Sequence, residues 1–556
     1  MKRYLPLIFL ICLSSYDGVS QASRHVIFFT DKNNSPYSIS NPQAYLSAAS
    51  LTRRSVQNIP VTIQDLPVNP SYITAVTQTG AILLNRSKWF NSVTVEITTP
   101  STLSAILSLP FVSGSTAVGR LSGPETLASR KMDVNLKRLE NNQTSLQKTN
   151  SFNYGNSLNQ VSMLRGDLMH NAGYTGQGMI IAVLDAGFSN ANNIAPLDSL
   201  FATGKILSTW DFVDNEQDVF DDDAHGSMVL SVIGGNSPGE LIGTAPHASF
   251  HLLRSENAPA EAIIEEYNWA SAAEYADSVG AHMINSSLGY TVFDNPAQNH
   301  SYGNLDGNTT PISIAADIAA SKGMVVCNSA GNEGNGSWFH ISAPADADSI
   351  LAVGAVDASE NIVGFSGKGP SYDGRVKPDV AAQGFGTIVA DPWNGTGVFG
   401  ASGTSFSSPL VAGMVATLWQ CSPNSSSQAI INAIRQSGSI SNNPDSLLGY
   451  GIPDFVVACM MLSGLNPELA DNNGSLWIDG NPFQDILTFS YFTSVPEDGT
   501  IELHDISGRL VWSDRKSFVP LSPNRTTIET LRLSKGLYVV SISSDSGRKS
   551  TIAIKN

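Results

Sequence analysis

Long apolar runs, broken by small residues, dominate the middle of this chain. Ile180-Ile181-Ala182-Val183-Leu184 carries no polar side chain and ends at Asp185-Ala186-Gly187. Met324-Val325-Val326 runs into the small, polar stretch Ser329-Ala330-Gly331-Asn332-Glu333-Gly334. Such continuous runs read as strands buried on both faces, the habit of parallel sheets covered by helices. Two other segments are apolar over helical lengths. His225 opens one that continues to Gly235, and Leu410 to Ala416 follows Gly403-Thr404-Ser405-Phe406-Ser407-Ser408-Pro409.

The flanks follow different periods. Before the apolar middle, His25 to Thr30 and Val93 to Ile97 read as strands and Tyr45 to Arg54 as a helix, a small α+β unit over 23–120. Residues 121–150 are polar and locally basic, with Arg130, Lys131, Lys137, Arg138 and Lys148 following Arg120, and read as an exposed linker and processing site. After the apolar middle, taken as 151–465, short strands alternate with Gly, Asp and Ser turns. Leu487 to Tyr491, Thr500 to Leu503, Arg509 to Trp512, Leu537 to Ile542 and Ser550 to Ile554 predict a small β-sandwich over 472–556.

The first residues add a targeting signal. Lys2 and Arg3 precede the apolar core Leu5 to Leu13, and Ser20-Gln21-Ala22 is a small-x-small cleavage site, so 1–22 reads as a signal peptide. That core is too short to span a bilayer, and no later stretch is apolar enough, so no transmembrane segment is expected. Cleavage would leave Cys327, Cys421 and Cys459, too few for a disulfide framework. Cys327 reads as buried and inert; which cysteines pair, if any, is not legible. With 556 residues, several domains are expected, and a hydrophobic share of 42 % supports large cores. The formal net charge of −17 argues against nucleic acid or anionic membranes as partners. By itself that acidity reads as solubility.

Four polar residues at element ends are candidates for chemistry. Asp185 closes a buried strand, where open α/β sheets place their functional groups. His225 opens a helix. Asn332 lies beyond a strand end, where its amide can donate to a developing oxyanion. Ser405 stands at a helix mouth, where backbone N–H groups favour negative charge. Singly, each has an ordinary structural reading as a turn, a buried histidine or a helix cap. Together, in the order Asp, His, Asn, Ser, they resemble the subtilisin-like (subtilase) serine peptidases. Ser286-Ser287-Leu288-Gly289 resembles that family's substrate-binding edge, and Gly243-Thr244-Ala245-Pro246 its turn after the histidine helix. Ser227-Met228 departs from the family's usual Thr-His without removing a catalytic group.

The resemblance implies a three-layer α/β domain with a mainly parallel sheet. In it Ser405 is the nucleophile, His225 the base, Asp185 its orienting partner and Asn332 an oxyanion donor. Ser287, Leu288, Gly289, Ala330 and Gly331 line the first specificity pocket, with its floor near Ser342. Polypeptides are the substrates, and no cofactor is required. The unit 23–120 then reads as an inhibitory prosegment, against the alternative of an accessory binding domain. Gly480-Asn481-Pro482-Phe483, Ile506 to Val511 and Gly536-Leu537-Tyr538 resemble the C-terminal sorting domains of type IX secretion in Bacteroidetes, against a carbohydrate-binding or adhesive module. The expected product is a secreted or surface-displayed endopeptidase made as a precursor. Its alternatives are an inactive adhesin on the same scaffold and a peptide cyclase or ligase using the same triad.

Two patterns remain outside this reading. Gly395-Thr396-Gly397-Val398-Phe399-Gly400 has dinucleotide-fingerprint spacing but follows no strand and opens no helix. Asp218, Asp221, Asp222 and Asp223 form a candidate calcium cluster. Their spacing matches no known calcium loop, so an exposed acidic loop is expected and no metal ligand is assigned.

Overall fold

The computed structural model describes residues 22–120, 151–465 and 474–556. All of the expected signal peptide except Ala22, and the expected basic linker 121–150, lie outside the described residues. Helices of eight or more residues and strands of four or more are numbered.

In the first unit, β1 (Ser23–Phe29), α1 (Ala48–Val56), α2 (Pro70–Gln78), β2 (Ile82–Ser87), β3 (Ser92–Ile97), α3 (Pro100–Leu107) and β4 (Val112–Arg120) follow one another. The strands form an antiparallel sheet in the order β2-β3-β1-β4. The helix expected from Tyr45 starts three residues later, because the Ser47 side chain caps it by accepting from the Ser50 N–H.

The central domain contains β5 (Ile180–Asp185), β6 (Ile206–Asp211), α4 (His225–Gly234), β7 (Ser249–Arg254), α5 (Ile264–Val279), β8 (Met283–Ser286), α6 (Pro311–Ser321), β9 (Val325–Ser329), β10 (Leu351–Val356) and β11 (Val380–Gln383). The hairpin strands β12 (Thr387–Ala390) and β13 (Val398–Ala401) follow, then α7 (Thr404–Cys421), α8 (Ser427–Gln436) and α9 (Phe455–Leu462). Seven strands pair in parallel in the order β11-β10-β9-β8-β5-β7-β6. The pleat of β5 divides its apolar run between two cores. Ile181 and Val183 face α4 and α7, while Ala182 and Leu184 face Trp269 and the alanines of α5 and α6. Helices therefore cover both faces, giving the three-layer α/β architecture, and this is why the strand shows no polar alternation. Cys421, closing α7, forms a disulfide with Cys459 of α9 across a Cα–Cα distance of 6.2 Å. Cys327 is free and buried.

The last unit is β14 (Ser475–Ile478), β15 (Ile486–Phe492), β16 (Glu497–Asp505), β17 (Leu510–Phe518), β18 (Asn524–Glu529), β19 (Gly536–Ser544) and β20 (Gly547–Lys555). Sheets β14-β15-β18 and β17-β16-β19-β20 share a core of Leu487, Phe489 and Tyr491 with Ile501, Leu503, Val540 and Ile542.

The first unit sits on α5 through buried charge. Asp277 of α5 meets Arg53 at 2.5 Å, Arg54 at 2.8 Å and Lys88 at 3.0 Å. Arg53 also donates to the carbonyls of Ala281, just beyond the C-terminal end of α5, and of Lys322, just beyond that of α6, where helix dipoles favour a cation. Glu274, one turn back, accepts from the Ser87 hydroxyl and from the N–H groups of Lys88 and Trp89. Lys322 returns the exchange by pairing with Asp65 at 3.2 Å.

Candidate active site

Asp185 and His225 come from consecutive layers. Asp185 is the last residue of β5, and His225 is the first of α4. Gly226 makes the approach possible: a Cβ there would lie 2.4 Å from the Gly187 carbonyl oxygen, so any larger residue would push the first turn of α4 off the loop that follows Asp185. His225 Nδ1 then stands 2.7 Å from Asp185 Oδ1. The His225 N–H donates to the Asp223 carboxylate at 2.7 Å, which fixes the backbone as well as the ring.

Ser405 is the second residue of α7, where first-turn N–H groups have no intrahelical acceptor. It is 9 % exposed, so little of the residue reaches the surface. Its Oγ donates to the Ser287 carbonyl at 3.3 Å and makes no hydrogen bond with the His225 ring in this structure. The ring of Phe406, next in sequence, lies 5.8 Å from that of His225.

Asn332 is held by Thr404. Its Oδ1 accepts both the Thr404 N–H at 2.8 Å and the Thr404 hydroxyl at 2.9 Å. A backbone N–H can only donate, so the oxygen of the amide must face Thr404, and Nδ2 is the end left to donate elsewhere. The Gly331 N–H reaches the same Thr404 oxygen at 3.2 Å.

Of the five pocket candidates, Gly289 and Gly331 both approach Ser342. Leu288 and Ala330 are buried, and Ala330 accepts from the Ser342 N–H. A Cβ on Gly289 would lie 2.2 Å from Ser342 Oγ, and one on Gly331 would lie 2.7 Å from it. The Ser342 hydroxyl thus stands between the two glycine backbones, and it is buried without a hydrogen-bond partner.

The acidic stretch splits into several roles. Asp223 holds the His225 backbone, and Asp218 accepts from the Phe220 N–H. Asp222 joins Asp211 and Asp214, which the sequence did not single out. Arg254, at the end of β7, lies among these three at 3.1, 2.5 and 2.6 Å respectively, so a guanidinium supplies the positive charge there. Sequence reasoning missed Asp223 as the His225 support and Thr404 as the Asn332 clamp. A proline four residues after Ser405 was one available signal that the helix mouth needed outside support.

Comparison with known proteins finds family matches along the chain. Residues 176–451 match the subtilase family, residues 24–133 the Bacteroidota propeptide domain of S8 peptidases, and residues 480–556 the secretion-system C-terminal sorting domain. The chain is 30 % identical over 276 residues to the thermophilic serine proteinase of Bacillus sp. strain AK1, a match covering 49 % of this chain and 60 % of that relative. It is 29 % identical over 294 residues to subtilisin E of Bacillus subtilis strain 168, covering 52 % of this chain and 66 % of the relative. Subtilisin Savinase of Lederbergia lenta is 29 % identical over 294 residues, covering 52 % of this chain and 94 % of the relative. Prosegment, serine-type endopeptidase domain and sorting tail, in that order, are the organisation of a secreted precursor protease, and the tail points to an extracellular or cell-surface destination. No helix among the described residues is long and apolar enough to cross a membrane.

Proposed function

From the match of residues 176–451 to the subtilase family, we propose that the chain hydrolyses peptide bonds with Ser405 as nucleophile, His225 as base and Asp185 as its orienting partner. The observation that carries the proposal is the 2.7 Å bond between Asp185 and His225 Nδ1, which leaves Nε2 to act as the base. In catalysis the Ser405 hydroxyl leaves the Ser287 carbonyl, gives its proton to Nε2, and Oγ bonds to the substrate carbonyl carbon. Catalytic hydrogen bonds of this kind commonly form only when substrate is present. The resulting oxyanion accepts from the Ser405 N–H and from Asn332 Nδ2, whose direction Thr404 has already set. In a subtilisin, a relative of this chain, removing the corresponding amide costs about 10²–10³ in turnover. His225 then passes its proton to the leaving amine, and a water repeats the sequence on the acyl-enzyme. Mass spectrometry of peptides digested in ¹⁸O-water tests the reaction class. Incorporation of the label into new carboxyl termini is expected, whereas cyclised or joined peptides without it would replace hydrolysis with acyl transfer between peptides.

The pH dependence follows from the His225 surroundings. Burial alone would lower its pKa. The Asp185 carboxylate, with Asp223 and Glu256 behind it, outweighs burial and pushes it from 6.5 up to about 9. Burial raises Asp185 too, against the pull of the His225 ring and the Ala186 N–H. The base must be neutral to work, so kcat/KM should fall as pH drops through the His225 pKa, with a midpoint above 6.5. Asp223→Asn should move that midpoint to lower pH. A profile flat from neutral into alkaline pH would contradict the role of His225.

The pocket geometry sets a further expectation. Ser342 Oγ packs against both Gly289 and Gly331, so small residues should be preferred on the acyl side of the cleaved bond. Ser342→Gly should raise kcat/KM for a phenylalanine substrate relative to an alanine one by on the order of tenfold. Wild-type preference for phenylalanine would sink this assignment.

A further inference from the structure

Pro409 stands four residues after Ser405, inside α7. In an α-helix the carbonyl of residue i accepts the N–H of residue i+4, and proline has no N–H. The Ser405 carbonyl therefore lacks its regular helical donor, in a place where a buried carbonyl needs one. A side chain from another element supplies it: Ser287 Oγ donates to the Ser405 carbonyl at 2.9 Å. Ser287 lies just past the end of β8, and its hydroxyl is itself held. Asn285 Nδ2 donates to Ser287 Oγ at 3.2 Å, and Asn285 Oδ1 accepts from Ser408 Oγ at 3.1 Å. Asn285 and Ser408 are fully buried, and Ser287 nearly so.

The four groups form one directional chain. Ser408 donates to Asn285, Asn285 to Ser287, and Ser287 to the carbonyl of Ser405. Both ends are on the first turns of α7, and the middle is on β8 and its extension. The chain therefore ties the helix mouth to the central sheet at two points, three residues apart. The bond to the Ser405 carbonyl restrains the peptide unit that leaves Ser405, and so the backbone from which the Ser405 side chain projects.

We propose that Asn285 and Ser287 are positioning residues, whose side chains aim Ser405 by replacing the backbone hydrogen bond that Pro409 removes. The inference rests on Ser405 being the nucleophile. It assigns the Ser287 side chain a task apart from the peptide backbone of Ser287 to Gly289, which lines the substrate cleft. Misplacement of a reacting group by a fraction of an ångström is enough to slow a reaction whose substrate still binds.

The test is steady-state kinetics on the full chain after processing, with a fluorophosphonate probe to count reactive Ser405. Ser287→Ala should lower kcat about tenfold with KM nearly unchanged, because the cleft backbone stays in place. Adding Pro409→Ala restores an N–H four residues after Ser405, so the double variant Ser287→Ala/Pro409→Ala should recover most of the lost kcat. A structural role alone gives no reason for that rescue. If Ser287→Ala does not fold, Ser287→Cys, similar in size and a weaker donor, carries the same comparison. Wild-type kcat in the single variant, or a double variant no faster than the single, would overturn the proposal. Failure of the probe to label Ser405 in the wild-type enzyme would instead remove the nucleophile assignment, and the inference with it.

Discussion

Replacing Ser405 with alanine is expected to lower turnover by about 10⁶ while leaving the protein folded. The size of the effect is that seen in a subtilisin, a relative of this chain, when its nucleophile is removed. Stability should change little, because the hydroxyl makes a single 3.3 Å hydrogen bond, to the Ser287 carbonyl, and nothing else in the core depends on it. His225→Ala should cost a similar factor, since nucleophile and base act as one unit. Kinetics on a peptide substrate measure this directly, and gel analysis gives an independent reading. If maturation is autocatalytic, the Ser405→Ala chain should accumulate as an uncleaved precursor. Turnover within a few-fold of wild type would refute the nucleophile assignment.

The second large effect is expected at Asp277, in the last turn of α5. Three prosegment cations, Arg53, Arg54 and Lys88, converge on this one carboxylate, which is completely buried. Asp277→Ala would leave them buried without their shared counter-charge. Breaking such a buried pair by deleting one partner costs roughly 3–5 kcal/mol, equivalent to about 10²–10⁴ in affinity. The cleaved prosegment should therefore remain with the wild-type enzyme on gel filtration and be lost from the Asp277→Ala enzyme, whose activity should appear without a lag. Equal retention in both would show that the prosegment is held elsewhere. The sign of the pH effect follows from the same contacts. Burial would raise the Asp277 pKa, but Lys88, Arg53 and Arg54 overcome it and push it down to about 2. A depressed carboxylate stabilises the docked state above its free pKa, about 3.9, and that contribution disappears as pH falls through about 2. Acid release of the prosegment is expected in that window.

The sequence made some of this visible and hid the rest for identifiable reasons. The uninterrupted run Ile180 to Leu184 announced a strand covered on both faces, and both faces are in fact occupied by helices. In the tail, the strands around Leu487, Thr500, Arg509, Leu537 and Ser550 were legible, while Ser475–Ile478 was missed despite Trp477 and Ile478. Asn524–Glu529 was missed too, because Ile528 is its one apolar residue and the strand lies at a sheet edge. Asp185, His225, Asn332 and Ser405 could be named from their motifs, because each motif puts a polar residue at an element end. Their supports could not. Thr404 clamping Asn332 and Asp223 holding the His225 backbone depend on how loops meet after folding. Arg254 entering an acidic cluster from β7 is invisible for the same reason, as is the pairing of Cys421 with Cys459 between helices 38 residues apart in sequence. Asp277 looks like one more acid on a helix until the prosegment brings three cations to it.

The central claim is that Ser405 is an activated nucleophile in this chain. Its most direct test is to treat the purified, processed enzyme with a fluorophosphonate probe and locate the adduct by peptide mass spectrometry. A single adduct on Ser405 is expected, lost in His225→Ala and matched by loss of peptide hydrolysis in the labelled protein. An unlabelled Ser405, or an adduct elsewhere with hydrolysis still running, would contradict it.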